Sequence, residues 1–258
     1  MNKNRYPAFT RSPAFRSEAP EPDRQVEAIF LNSLFSKLVD LQPLTEDKNR
    51  KGEFDESTFL EMPLPPLIQL EDLLASFCFR GFNFEMIGCF YPNSRTLVVG
   101  RSQEFPLETM YPEPFIIPAF LPPQNGIRFH NHRRDPRWTM QDNATPSLTD
   151  QENLRSHQDK GRRFTEIIAT GNPGEGLAMI SKTTITGPRN ITDEFLSSLG
   201  LSSYDRLRLG RSTLIRSRAL LEAEYGLTPV QIEEYIAKRG ISETTVITIA
   251  NRYDVKFE

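Results

Sequence analysis

Between Ile68 and Thr186 the apolar residues fall into short runs of strand length, broken near the start by one stretch of helical period. This switch of period constrains the fold more than any other feature of the chain. Leu70, Leu73, Leu74 and Phe77 share one face of a helix over residues 70–79. The runs Phe84 to Tyr91 and Thr96 to Val99 follow, separated by Pro92-Asn93-Ser94, whose composition is that of a hairpin turn. After a proline-rich excursion from Pro106 to Pro123, a strand begins at Gly126, and two more are expected at Thr165–Ala169 and Gly176–Thr184. Strands interleaved with a few helices define a mixed α/β unit, placed here over residues 63–190. With 38% apolar residues in 258, the chain can bury one sizeable core.

The flanks have a different character. Residues 1–22, with Pro7, Pro13, Pro20 and Pro22 among polar residues, read as a flexible arm. Residues 23–62 read as a helix and linker: Val26, Ile29, Phe30, Leu34, Leu38 and Leu41 lie at helical spacing behind a capping Asp23, a charged loop spans Thr45 to Glu56, and prolines at 63, 65 and 66 form an extended joint. Residues 191–258 read as a helical appendage, with helices expected at 192–199, 204–225, 229–238 and 243–253.

The net charge of −3, from 31 basic and 34 acidic residues, gives no global reason to expect nucleic acid or an anionic membrane as partner. No run of eighteen apolar residues and no secretory leader is legible, and the two cysteines, Cys78 and Cys89, lie in apolar stretches as buried thiols of a reducing compartment. A cytoplasmic protein without membrane contact is the expectation.

The strand from Gly126 runs directly into His130-Asn131-His132, two of the three histidines in the chain. Residues two apart on a strand project to the same side, so both imidazoles can converge on one ion while Asn131 points away. Downstream, Pro146 and Ser147 mark a helix start, and Asp150 lies in its first turn. Ser-x-x-Asp at that place is also a capping-box variant, in which Ser147 caps backbone N–H groups. Upstream, Glu85 is an acid within an apolar run, where an unpaired carboxylate is costly unless it serves a site. Glu104, Glu108 and Glu113 are the other acids available for such a role. His157, two helical turns past Asp150, is read as a residue outside the ligand set.

These stretches, Phe84-Glu85-Met86-Ile87-Gly88, then Ile127 through His132, then Pro146 through Asp150, resemble in content and order the JAB/JAMM (MPN-plus) zinc metalloproteases. The resemblance covers about residues 65–187. It implies a cytidine-deaminase-like domain, with a curled mixed sheet flanked by helices. It also implies one Zn²⁺ on His130, His132 and Asp150 with a catalytic water, Glu85 as general base, and Ser147 as oxyanion donor. The activity implied is that of a metallopeptidase or isopeptidase, acting on a protein substrate such as a ubiquitin-like modifier or its conjugate. Arg133 stands where the family has proline, and the 14-residue spacer from His132 to Ser147 is longer than the family's. The enlarged loop from Arg133 to Thr145, with Arg134, Arg137 and Trp138, reads either as a substrate-contacting rim or as a solvated loop.

Other readings stand beside this one. A His-Asn-His nuclease is set aside, because that motif's residues are dispersed over a ββα-metal unit. The RadC-like branch of the same fold and a non-catalytic JAB-fold interaction module remain alternatives. Residues 229–253 have helix-turn-helix length, preceded by Arg206, Arg208, Arg211, Arg216 and Arg218, which makes DNA a second candidate partner. Glu233 and Glu234 on the first of these helices favour instead a helical pair that packs on its own domain or on a partner protein.

Overall fold

In a computed structural model, the chain is a mixed α/β protein built on one seven-stranded mixed sheet flanked by helices. The structure describes residues 21–44, 57–104, 126–133, 139–144, 146, 150, 154, 156–158, 160–210, 214–240 and 245–250. Of the arm expected over 1–22, residues 1–20 lie outside the described residues and 21–22 are helical, and the charged loop over 45–56 and the loop residues Arg134, Arg137 and Trp138 also lie outside them.

The strands are β1 (Phe59–Pro63), β2 (Met86–Tyr91), β3 (Thr96–Arg101), β4 (Ile127–Asn131), β5 (Thr165–Asn172), β6 (Leu177–Thr184) and β7 (Thr245–Ala250). Their order across the sheet is β1-β3-β2-β4-β5-β6-β7. Every neighbouring pair is antiparallel except β4 and β5, which are parallel. A parallel pair needs a crossover, and the chain between β4 and β5 supplies it. That crossover contains α3 (Met140–Asn143) and helical backbone at Asp150, Leu154 and 156–158, so it passes the carboxyl end of β4.

Alternation along the strands gives the sheet two unlike faces. Met86, Phe90, Leu97, Val99, Phe129, Ile167, Ala169, Ala178 and Ile180 belong to the main core, with Leu34, Phe35 and Leu38 of α1 (Glu21–Asp40) and Leu73, Leu74 and Phe77 of α2 (Leu70–Arg80). The opposite face carries Cys89, Arg128, Glu166 and Thr183, paired strand to strand across β2, β4, β5 and β6. The next row on that face is Ile87, His130, Ile168 and Ser181.

Helix α2 spans nearly the expected residues and ends at Gly81, whose φ of 64° is the left-handed conformation that terminates helices. The β2–β3 hairpin forms as expected, but its left-handed residue is Arg95, at φ 52°. The Arg95 guanidinium donates to the carbonyls of Leu64, Pro65 and Ile68, which fastens the proline joint to the hairpin and holds the strained backbone.

Several boundaries differ from expectation. Helix α1 starts at Glu21, so Asp23 lies inside it and not at its cap. The linker contributes β1, an edge strand on β3 that places Leu60 and Met62 against the main core. Pro63 is tolerated there because an edge strand has one side without a ladder partner. The helix expected over 204–225 is two, α5 (Ser203–Gly210) and α6 (Leu214–Ala223). With α4 (Asp193–Ser198) and α7 (Pro229–Lys238) they enclose a second small core of Ile191, Leu196, Leu201, Leu209, Leu221, Leu227, Ile232, Tyr235 and Ile236.

The helix expected over 243–253 is instead the strand β7, antiparallel to β6. Val246, Ile247 and Ile249 with Thr245 and Thr248 form a β-branched run, and β6 offered an unpaired edge to receive it. The appendage is therefore not wholly helical, and among the described residues the segment after α7 is this strand and not the recognition helix of a helix-turn-helix. Among the described residues no helix is long and apolar enough to cross a membrane.

Candidate metal centre

His130 is held on both sides: its backbone pairs with Ile87 of β2 and Ile168 of β5. His132, just past the end of β4, keeps the register through its N–H, which donates to the Ala169 carbonyl at 2.7 Å. Both rings therefore stand on the polar face, as the two-residue spacing requires. Asp150 reaches them from the helical part of the crossover.

Three distances define the cluster. His130 Nε2 lies 3.0 Å from His132 Nε2, His130 Nε2 lies 3.3 Å from Asp150 Oδ1, and His132 Nε2 lies 3.2 Å from Asp150 Oδ2. One ligand atom from each residue falls within 4.8 Å of the others, close enough to hold a metal ion. Bonds of about 2.0–2.1 Å to a tetrahedral ion separate its ligands by roughly 3.3 Å, a little more than the 3.0 Å between the two imidazole nitrogens and close to each nitrogen's distance to Asp150. The donor set also fits: two imidazoles and one carboxylate leave a tetrahedral ion one open position.

The electrostatics bind the three groups together. Burial would raise the Asp150 carboxyl, yet His130 and His132, by charge and by hydrogen bonding, hold it well below the usual carboxylate range. Burial would lower His132, but the Asp150 carboxylate, with Glu85 and the Asn143 carbonyl, raises it to about 9. The other nitrogen of that ring, Nδ1, is 2.8 Å from the Asn143 carbonyl oxygen. Asn143 ends α3, a short helix inside what read as a loop, so nothing in the local sequence pointed to it.

Glu85 sits immediately before β2, not within it. Its N–H donates to Ser102 Oγ at 2.9 Å, and the Ser102 N–H donates to its carbonyl at 2.9 Å. Burial pushes its carboxyl up, both imidazoles pull it down, Asp150 pushes it up, and the Arg133 backbone N–H donates to it. The half-buried carboxylate thus lies beside the imidazoles and the residue that follows them. Glu104 is engaged elsewhere, with Arg101 at 3.6 Å and Asn83 at 3.2 Å, while Glu108 and Glu113 lie outside the described residues. Ser147 also lies outside the described residues. His157 packs edge-on against Phe164, with centroids 5.3 Å apart, and takes no place in the cluster.

Asn131 turns away from the ion site, and its side chain has work of its own: its Oδ1 accepts the Met86 N–H at 2.6 Å. Behind His130 lies the buried pair of Arg128 and Glu166, 2.6 Å apart. No sequence signal marked either, since each reads as one polar residue in an alternating strand. Comparison with protein-family models, with curated proteins and with solved structures finds no match to this chain.

Proposed function

We propose that the chain is a zinc-dependent amide hydrolase of the JAB/JAMM type, a peptidase or isopeptidase with His130, His132 and Asp150 as its ligands. The observation that carries the reading is the His-His-Asp cluster, with the two Nε2 atoms 3.0 Å apart and lying 3.3 and 3.2 Å from Oδ1 and Oδ2 of Asp150, bordered by a half-buried glutamate that senses both imidazoles. The order of elements is consistent with it. A helix, three strands, a crossover with helical turns and two further strands run from α2 to β6, and the proposal takes them as that family's cytidine-deaminase-like domain.

Zn²⁺ prefers nitrogen and carboxylate ligands in this number, and when bound it supplies Lewis-acid polarisation and a water whose pKa falls to about 7. Glu85 accepts the proton of the attacking water and later returns it to the leaving amine. Burial that raises its carboxyl suits that double task, because the proton must be both taken and released near neutral pH. Ser147 is assigned to the developing oxyanion on the resemblance alone. The proposed substrate is the amide or isopeptide bond of a ubiquitin-like protein or its conjugate.

Metal analysis of the purified wild type beside Glu85→Gln and His130→Ala tests the reading. About one zinc per chain is expected in the first two, and its loss in His130→Ala. Cleavage of ubiquitin-like fusions should disappear in Glu85→Gln and with chelators. Equal zinc in all three proteins, or activity that survives Glu85→Gln, would overturn the assignment.

A further inference from the structure

A second constellation of charge lies behind the cluster, on the same face of the sheet. Arg128 and Glu166 are direct neighbours across β4 and β5. They are 2% and 1% exposed. The guanidinium donates twice to one carboxylate oxygen, Glu166 Oε1, from Nε at 2.9 Å and from Nη2 at 2.6 Å, and lies over the Phe164 ring, 5.3 Å from its centroid. The other oxygen, Oε2, is buried with no hydrogen-bond partner, and so is His130 Nδ1. Nδ1 stands 3.6 Å from Oε1, just beyond hydrogen-bonding range.

A buried ion pair gains little over apolar packing, and an unsatisfied buried polar atom is costly. Here the partnerless Nδ1 stands a few tenths of an ångström too far from a carboxylate that gives one oxygen, Oε1, to Arg128 and leaves the other, Oε2, without a partner. The chemistry of the ring gives them a common purpose. Nε2 is the His130 nitrogen that faces His132 and Asp150. When it gives its lone pair to an ion, the one proton of the neutral imidazole must sit on Nδ1. A buried Nδ1–H then needs an acceptor, and the Glu166 carboxylate is the one within reach.

We propose that Glu166, held in place by Arg128, is the positioning residue for the metal ligand His130: its carboxylate accepts the Nδ1–H and fixes the tautomer and ring orientation that present Nε2 to the ion. Such carboxylate–imidazole–metal arrangements raise the basicity of the ligand. Arg128 compensates the carboxylate, so that the second layer adds no net charge to the site. The inference rests on the metal reading above and extends it to two residues that touch no ion.

The test measures Zn²⁺ affinity, by competition with a chromophoric chelator, for wild type, Glu166→Gln and the double variant Arg128→Met/Glu166→Met. The double variant leaves no buried charge unpaired, so its fold, checked by thermal unfolding without metal, is expected to hold. Zinc affinity should fall about 10–100-fold in both variants. Long-range ¹H–¹⁵N correlation of the imidazoles in the zinc-loaded wild type should show His130 protonated on Nδ1, with a deshielded, hydrogen-bonded proton. That readout needs no variant to fold. A folded double variant that binds zinc like wild type, or a loaded His130 protonated on Nε2, would overturn the positioning role alone. A wild type that binds no zinc would remove the metal reading and this inference together.

Discussion

The side-chain oxygen of Asn131 accepts the backbone N–H of Met86 at 2.6 Å, in the buried layer where the end of β4 meets the start of β2. Asn131 lies between the two imidazoles in the chain, and Met86 follows Glu85. One hydrogen bond therefore ties the strand that carries the two imidazoles to the residue next to the proposed base. Asn131→Ala would leave the Met86 N–H without its acceptor, at a cost of about 1–3 kcal/mol. Zinc content should stay at the wild-type level while turnover falls, because the carboxylate shifts and the ligands do not. Loss of zinc in that variant would assign Asn131 to the ligands' support instead.

Gly88 marks a tight passage in the sheet beneath the site. A Cβ there would lie 2.2 Å from the Val98 carbonyl oxygen and 2.6 Å from the Phe129 ring. The carbonyl belongs to β3, which is paired on both sides and has no room to retreat. Gly88→Ala should cost about 1–3 kcal/mol or more, read as a lowered midpoint in chemical denaturation. An unchanged midpoint would refute this account of the packing.

Helix α7 begins with a reciprocal cap. The Gln231 N–H donates to Thr228 Oγ1 at 3.4 Å, and the Thr228 N–H donates to Gln231 Oε1 at 2.9 Å, with Pro229 at the first helical position. Thr228→Ala should destabilise this region by about 0.5–2 kcal/mol. Faster amide exchange is expected in α7 and around buried Tyr235 and Ile236, with zinc binding unchanged. Exchange that stays at the wild-type rate would mean that packing alone holds the helix.

Burial pushes the thiols of Cys78 and Cys89 up to about 12, and at neutral pH almost none of either is thiolate. A thiol reagent at pH 8 should leave the folded protein unmodified and label both cysteines on denaturation. Rapid labelling of the native protein would show that one of them is reached by solvent.

His157 gives stability a pH dependence of known sign. Burial, then the charges of Arg128, Arg162 and Lys160, lowers its pKa from 6.5 to about 4. In that window the unfolded chain binds a proton that the folded chain refuses, so stability drops as pH falls from 6.5 towards 4. His157→Leu should remove this component, so that wild type loses stability relative to the variant over the window. A constant difference between the two across those pH values would contradict the assignment.

Local patterns marked the two candidate imidazoles and much of the sheet. The run Gly126 to His132 announced a strand, and strand alternation alone was enough to set His130 and His132 on one side. The helix expected over 229–238 is α7, and the hydrogen bonds that start it lie within four residues, Thr228 to Gln231. Tertiary structure decided what depends on partners distant in sequence. The segment 245–250 became a strand because β6 had a free edge, an opportunity invisible in a segment whose length suits a helix. The pairing of Arg128 with Glu166, 38 residues apart, follows from the parallel register of β4 and β5. Asn143 reached His132 only because the crossover doubles back over the strand end. Short-range periodicity is written into the chain, whereas the register between strands and the closure of a crossover are set by what the folded core can bury.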